Sequence, residues 1–204
     1  MDEALKRRLA AIVGARGIGA GGLVTPVNIT QLGEVLAACA AGSASVAPSA
    51  SPGAGRADVV VGAVRLGSIL LDATAMLLHA GAAATWTEVR EAAAAQRLAV
   101  SGLPTVRSDT VGDSVALGEI AHRTLAGVDL LTQAGALISA GGRTLKDVVG
   151  YDLAGLFLGS GDRLGLIVAA TLRLEPAAAR TPAQPGLGPW RGDAGIDVAA
   201  AFAS

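Results

Sequence analysis

The sequence predicts a fold that mixes helices and strands in two regions. Segments of helical and strand period alternate up to Leu98, the pattern of an α/β unit. Beyond Gly102-Leu103-Pro104 the pattern changes to small and apolar residues with further strand-length runs. Composition favours close packing: of 204 residues, 44 are alanine and 28 glycine, and only 2% are aromatic, so backbones can approach one another closely.

Residues 2–13 read as a short helix with Leu5, Leu9 and Ile12 on one face. A glycine-rich stretch over 14–22 leads to Leu23-Val24-Thr25-Pro26. Asn28 can cap a second helix, with Gln31 at the capping-box position. Ile29, Leu32, Val35, Leu36 and Cys39 then recur at helical spacing, so Cys39 is expected in the core. Residues 43–56 read as a loop that includes a short strand over 45–48. Three strand-length apolar runs follow at 58–64, 68–72 and 75–81, and residues 87–98 read as a helix. In the second region, 130–142 looks like a hairpin with Gly135 near its turn. Asp152 can cap a short helix over 153–158 that Gly159 closes. Residues 164–174 read as a buried strand ended by Pro176.

Charge and composition exclude several functions. Sixteen basic and 17 acidic residues nearly cancel, so no field favours nucleic acid or an acidic membrane surface. One cysteine rules out an internal disulfide or a thiolate cluster, and two histidines leave no basis for a metal site. His79 and His122 read as surface or core histidines. The longest apolar region, 59–84, is broken by Arg65 and Asp72, short of the roughly 20 uncharged residues a membrane span needs. The charged first residues carry no signal-peptide pattern, and a cytoplasmic protein is the default.

Two motifs stand out as candidates for carrying chemistry. Gly17-Ile18-Gly19-Ala20-Gly21-Gly22 matches G-x-G-x-x-G, which cradles a pyrophosphate where it joins a strand to a helix N-terminus. Here a helix is expected before it, and an NAD-binding Rossmann domain is only an alternative. The second motif is richer. Gly141-Gly142-Arg143, Lys146, Gly150-Tyr151-Asp152-Leu153, Gly159-Ser160, Leu164-Gly165-Leu166-Ile167, Thr171-Leu172-Arg173-Leu174 and Pro176 follow in order.

That series resembles the end of the FAD-binding domain of the vanillyl-alcohol-oxidase/PCMH flavoprotein superfamily. It is most similar to bacterial glycolate oxidase flavin subunits and FAD-linked 2-hydroxyacid dehydrogenases. Fainter likenesses lie at Val24-Thr25-Pro26, Asp58 to Val61, Arg65-Leu66, His79 to Ala82, and Thr110-Val111-Gly112. Several positions depart from the family pattern, among them Arg163 for the threonine of G-S-x-G-T and Asp147 for the asparagine after Lys146. Pro52 enters the loop before Gly53, Asp113 replaces the second glycine of T-V-G-G, and Asp162 replaces the glycine of G-S-x-G-T.

The resemblance implies an α+β, two-subdomain PCMH-type fold over residues 20–176, divided into about 20–100 and 101–176, without a complete C-terminal cap domain. Residues 177–204 would be a poorly ordered tail. It implies non-covalent FAD, since the pyrophosphate loop has no histidine. The cofactor-binding residues would be Gly53, Gly55, Thr110, Gly112, Asp113, Ser114, Lys146, Gly165, Ile167 and Val168, with no catalytic residue nameable. The implied function is an FAD-dependent oxidoreductase domain or subunit accepting a hydride from a hydroxy acid or alcohol, with a partner subunit completing the active site. The alternative is a degenerate, non-catalytic member serving as a structural subunit.

Overall fold

The computed structural model describes residues 2–48, 54–62, 66–102, 107–141 and 153–177. Gly53, Pro52, Lys146, Tyr151, the Asp152 cap and the tail from 178 onward lie outside the described residues.

The first layer is helix on a small parallel sheet. Helix α1 spans Glu3–Val13, and the Asp2 carboxylate caps it by accepting from the Leu5 N–H at 2.7 Å. Strand β1 (Leu23–Val24), helix α2 (Ile29–Ala41), strand β2 (Val46–Pro48) and strand β3 (Val59–Val61) follow. The strands pair in parallel in the order β1-β3-β2. Asn28 caps α2 by accepting the Gln31 N–H at 2.8 Å. The Gln31 side chain reaches back one residue further than a capping box requires, to the Val27 N–H at 3.0 Å. Asp58 and Ser45 lock the starts of β3 and β2: the carboxylate accepts from the Ser45 N–H and hydroxyl at 2.9 and 2.7 Å.

The second layer is an antiparallel sheet. Its strands are β4 (Ile69–Asp72), β5 (Leu77–Gly81), β6 (Leu98–Val100), β7 (Leu125–Leu131), β8 (Leu137–Gly141) and β9 (Leu166–Pro176). The order is β4-β5-β9-β7-β8, and β6 pairs with the far end of β9. Helices α3 (Trp86–Ala95), α4 (Val111–Ala116) and α5 (Leu153–Phe157) supply Trp86, Val89, Val111, Val115 and Ala154 to one buried cluster with Leu78, Val128, Ile167, Ala170 and Leu172 of the sheet.

The opposite face of this sheet meets the parallel layer. Leu131 and Val168 are buried with Leu9, Leu32, Val35, Leu36, Cys39 and Val61. Ile167 and Ala170 face the same cluster although they are three apart, which a strand of period two cannot do. A bulge resolves this: Asp129 pairs with Ala169 and Leu130 with Ile167, leaving Val168 as the extra residue.

Leu98 is the first residue of β6 rather than the end of a helix, because α3 stops at Ala95 and Arg97 turns at φ 56°. The break between the two sheets falls between Val61 and Ile69, since β4, β5 and β6 all pair within the β9 sheet. Helix α1, ahead of residue 20, belongs to the same unit, because Leu5 and Leu9 are buried against α2.

Candidate functional site

A cleft of about 680 Å³ lies between the two sheets. One wall is the C-terminal half of α2 (Leu36, Ala40), the loop 43–45 and edge strand β2. The other is Leu131 and Gln133 with the turn Gly161-Asp162-Arg163 and Gly165-Leu166. The volume lies within the roughly 300–1,000 Å³ of small-molecule and cofactor sites.

The turn before β9 is built by its neighbours. Gly159 closes α5 at φ 76°, as the sequence predicts, and its N–H donates to the Val115 carbonyl at 2.9 Å. The Gly161 N–H donates to the Ala116 carbonyl, also at 2.9 Å. The end of α4 therefore anchors the turn. Gly161 and Asp162 are both left-handed, at φ 61° and 59°, and Gly165 sits at φ 156°. A Cβ on Gly165 would lie 2.8 Å from the Leu131 carbonyl oxygen, so only glycine brings the backbone this close to β7. The N–H groups of Asp162, Leu164 and Gly165 have no acceptor among the described residues. The Ser160 hydroxyl oxygen is buried and likewise has no partner there.

Asp162 lines the cleft. Its Oδ1 accepts the Ile167 N–H at 3.2 Å. Burial, and then the charge of Asp113, push its carboxyl above the usual range, against the pull of the Ile167 amide.

The described sequence-derived residues fall into four groups. Gly165 lines the cleft. Thr110, Gly112, Asp113 and Ser114 stand behind the turn rather than in the wall, at the start of α4. Thr110 caps that helix, and its hydroxyl donates to the Asp113 carboxylate at 2.7 Å. The Val111 and Gly112 N–H groups donate to the carbonyls of Ala84 and Ala82, both at 2.9 Å. A Cβ on Gly112 would stand 2.7 Å from the Ala82 Cβ, which explains the glycine by packing alone. Ser114 faces the core: its fully buried hydroxyl accepts the Trp86 indole N–H at 2.8 Å. Ile167 and Val168 are buried side chains in opposite clusters. Gly55 lies exposed in a 3₁₀ turn over Ala54–Arg56, outside the cleft lining.

The residues 36–48 of the cleft wall carry no motif and were not expected to form it. Asp162 stood out only as a departure from the family pattern. The Gly17–Gly22 segment lies in two 3₁₀ turns between α1 and β1. It enters a strand from a helix, the reverse of a dinucleotide-binding turn, so the Rossmann alternative loses its geometric basis. His79 ties three strands together: Nδ1 is 3.2 Å from the Thr171 hydroxyl and Nε2 is 3.8 Å from the Asp129 carboxylate. No grouping of three or more metal-ligating side chains occurs among the described residues.

Among solved structures the chain is similar to alkyldihydroxyacetonephosphate synthase. The P212121 crystal form matches with a TM-score of 0.67 and 14% identity over 86% of this chain. The P1 form matches with a TM-score of 0.59 and 16% identity over 76%. The fold is the FAD-binding PCMH-type fold. A curated protein, the glycolate oxidase subunit GlcD of Bacillus subtilis, is 42% identical over 50 residues, 24% of this chain. No family model matches the chain. The chain spans 41% and 34% of the two synthase chains, and its likeness to GlcD covers 11% of that protein.

The PCMH-type fold binds FAD, and most of the cleft suits that cofactor. Leu36, Ala40, Ala47, Leu131 and Leu166 offer an apolar slot for a flat ring. The N–H groups of Asp162, Leu164 and Gly165, without acceptors among the described residues, are donors of the kind that hold phosphate oxygens. Asp162 is the one side chain in the wall whose charge opposes a phosphate.

Proposed function

We propose that this chain is an FAD-binding oxidoreductase domain or subunit of glycolate-oxidase type, working in the cytoplasm on a hydroxy acid or alcohol. The observation that carries the reading is the cleft between the sheets, walled by β2 and a glycine-rich turn whose N–H groups at 162, 164 and 165 have no acceptor among the described residues. Flavin, when bound, accepts a hydride from the hydroxyl-bearing carbon of such a substrate. This chain's part is to hold and orient the cofactor. Leu36, Ala40, Leu131 and Leu166 exclude water from the slot, and the turn carrying Asp162 and Gly165 borders the charged part. Gly53, Gly55 and Lys146 complete the cofactor contacts in this reading, as the family pattern places them. A partner subunit or further domain supplies the substrate pocket, in keeping with the fraction of the synthase chain that this chain spans.

In a second reading the protein keeps the fold as a structural subunit without flavin. The charge of Asp162 in the cleft wall favours it. A spectrum of purified protein incubated with FAD and freed of excess by gel filtration separates the two. Flavin absorbance co-eluting in stoichiometric amount supports the oxidoreductase reading; colourless protein supports the structural one. In helices of the described residues, none is long and apolar enough to cross a membrane.

A further inference from the structure

The wall of a dinucleotide cleft is an unfavourable place for a carboxylate, and Asp162 cannot turn away. Its backbone is fixed at φ 59°, between the Gly161 N–H that holds the Ala116 carbonyl and the Ile167 N–H that holds Oδ1. Its other oxygen has no partner among the described residues.

Among the described residues no cation pairs with the Asp162 carboxylate, although Arg163 shares the wall. Helix α4 contributes Asp113, which adds like charge. The turn itself contributes Arg163, which is exposed and forms no ion pair with either carboxylate among the described residues. The facing wall brings the neutral Ser43, Ser45 and Gln133, with Asp58 behind Ser45. Strand β9 offers only the Ile167 amide.

We propose that Asp162 sets the charge selectivity of the cleft, so that a dianionic dinucleotide enters only with uptake of a proton by this carboxyl. The proposal rests on the flavin-binding reading and deepens it. Its physical basis is linkage. A carboxyl already held neutral more easily than usual by burial and by Asp113 is driven further toward its protonated form when a pyrophosphate approaches. Each proton taken up on binding weakens affinity by about tenfold per pH unit across the window in which the free protein is ionised. The uncharged end of the same ligand has no such requirement.

The test uses the full chain and two probes that share a ring system, FAD and riboflavin. Each is titrated by fluorescence between about pH 5 and pH 8, upward from the ordinary carboxylate range. Wild type is compared with Asp162→Asn, because asparagine tolerates left-handed backbone and keeps the acceptor for Ile167. Melting curves confirm that the variant folds. The proposal expects the FAD Kd of wild type to rise with pH by up to about tenfold per unit, with riboflavin flat. Asp162→Asn should bind FAD independently of pH and more tightly than wild type at the alkaline end. Calorimetry in two buffers of different ionisation enthalpy should count close to one proton taken up by wild type. FAD binding that is flat with pH in wild type, or equally pH-dependent in Asp162→Asn, overturns the proposal and leaves flavin binding standing. Failure of both probes with both proteins at every pH overturns the flavin-binding reading itself, and the proposal with it.

Discussion

Gly33 in α2 and Gly135 in the β7–β8 turn meet backbone to backbone, joining the parallel layer to the antiparallel one. A Cβ on Gly33 would lie 2.8 Å from the Gly135 carbonyl oxygen. Gly135 is itself left-handed at φ 79°. This contact fixes how closely α2 approaches the end of β7, and therefore how wide the cleft between them is.

Gly33→Ala should destabilise the protein. In an exposed helix interior the same change stabilises by up to about 1 kcal/mol. Here the new methyl meets a backbone carbonyl, and overpacking costs about 1–3 kcal/mol. A chemical-denaturation midpoint measures the sign directly. A stabilised variant would mean that α2 and the hairpin are not in contact.

Ser114→Ala should cost about 1–3 kcal/mol, because it leaves the Trp86 indole N–H buried without an acceptor. Its flavin affinity, measured under conditions where both proteins are folded, should equal that of wild type. A selective loss of flavin with unchanged stability would return Ser114 to the cofactor contacts that the family pattern suggests.

What could be read from the sequence divides along the range of the interactions. Asp2, Asn28, Gly135, Gly159 and Pro176 act on residues within a few positions of themselves, and the elements they bound are legible. Strand β6 is not, because Leu98-Ala99-Val100 continues the helical period of α3 and becomes a strand only by pairing with Leu174–Pro176. The pairing of β5 with β9, over 80 residues away, is illegible for the same reason. In the site, motif matching singled out Gly165, which lines the cleft, and the start of α4, which does not. It could not find that Ser114 serves Trp86, 28 residues earlier, nor that residues 36–48 wall the cleft.

Glu119 anchors the chain entering α4, its carboxylate accepting the N–H groups of Ser108 and Arg107 at 2.9 and 3.1 Å. The Ser108 amide above all holds this carboxyl below its ordinary value. A depressed carboxyl adds stability above its unfolded pKa, about 4.3, and that stability is lost as pH falls through the lower folded value. Wild type should therefore exceed Glu119→Gln in urea midpoint at neutral pH, and the gap should close below about pH 4. A gap independent of pH would assign the effect to shape rather than charge.

Asp113→Asn should raise FAD affinity at alkaline pH, though less than Asp162→Asn. Asp113 is bonded to Thr110 and stands behind the turn, so it acts through Asp162. Combining the two substitutions should give less than the sum of their separate effects, because they share one target. Fluorescence titration of the three variants decides this, and strict additivity would place Asp113 in its own contact with the ligand.

Strand β8 is an edge on which Leu137 and Ile138 are 54% and 43% exposed, and it carries no charged residue. Uncharged apolar edges recruit other strands. Ile138→Lys should change the melting temperature little, and any association of copies that sedimentation velocity detects in wild type should weaken in it. Unchanged association would show that β8 is not the surface through which copies meet.

The central claim is that the cleft between the two sheets holds FAD. The most direct measurement is fluorescence titration of FAD into the purified chain at the acid end of its stable range, beside Gly165→Val. That substitution drives a side chain into Leu131 at the cleft wall. The account predicts saturable one-to-one quenching by wild type and a large loss of affinity in the variant at a temperature where a melting curve shows it folded. No saturable binding by wild type, or equal affinity in a folded Gly165→Val, would contradict it.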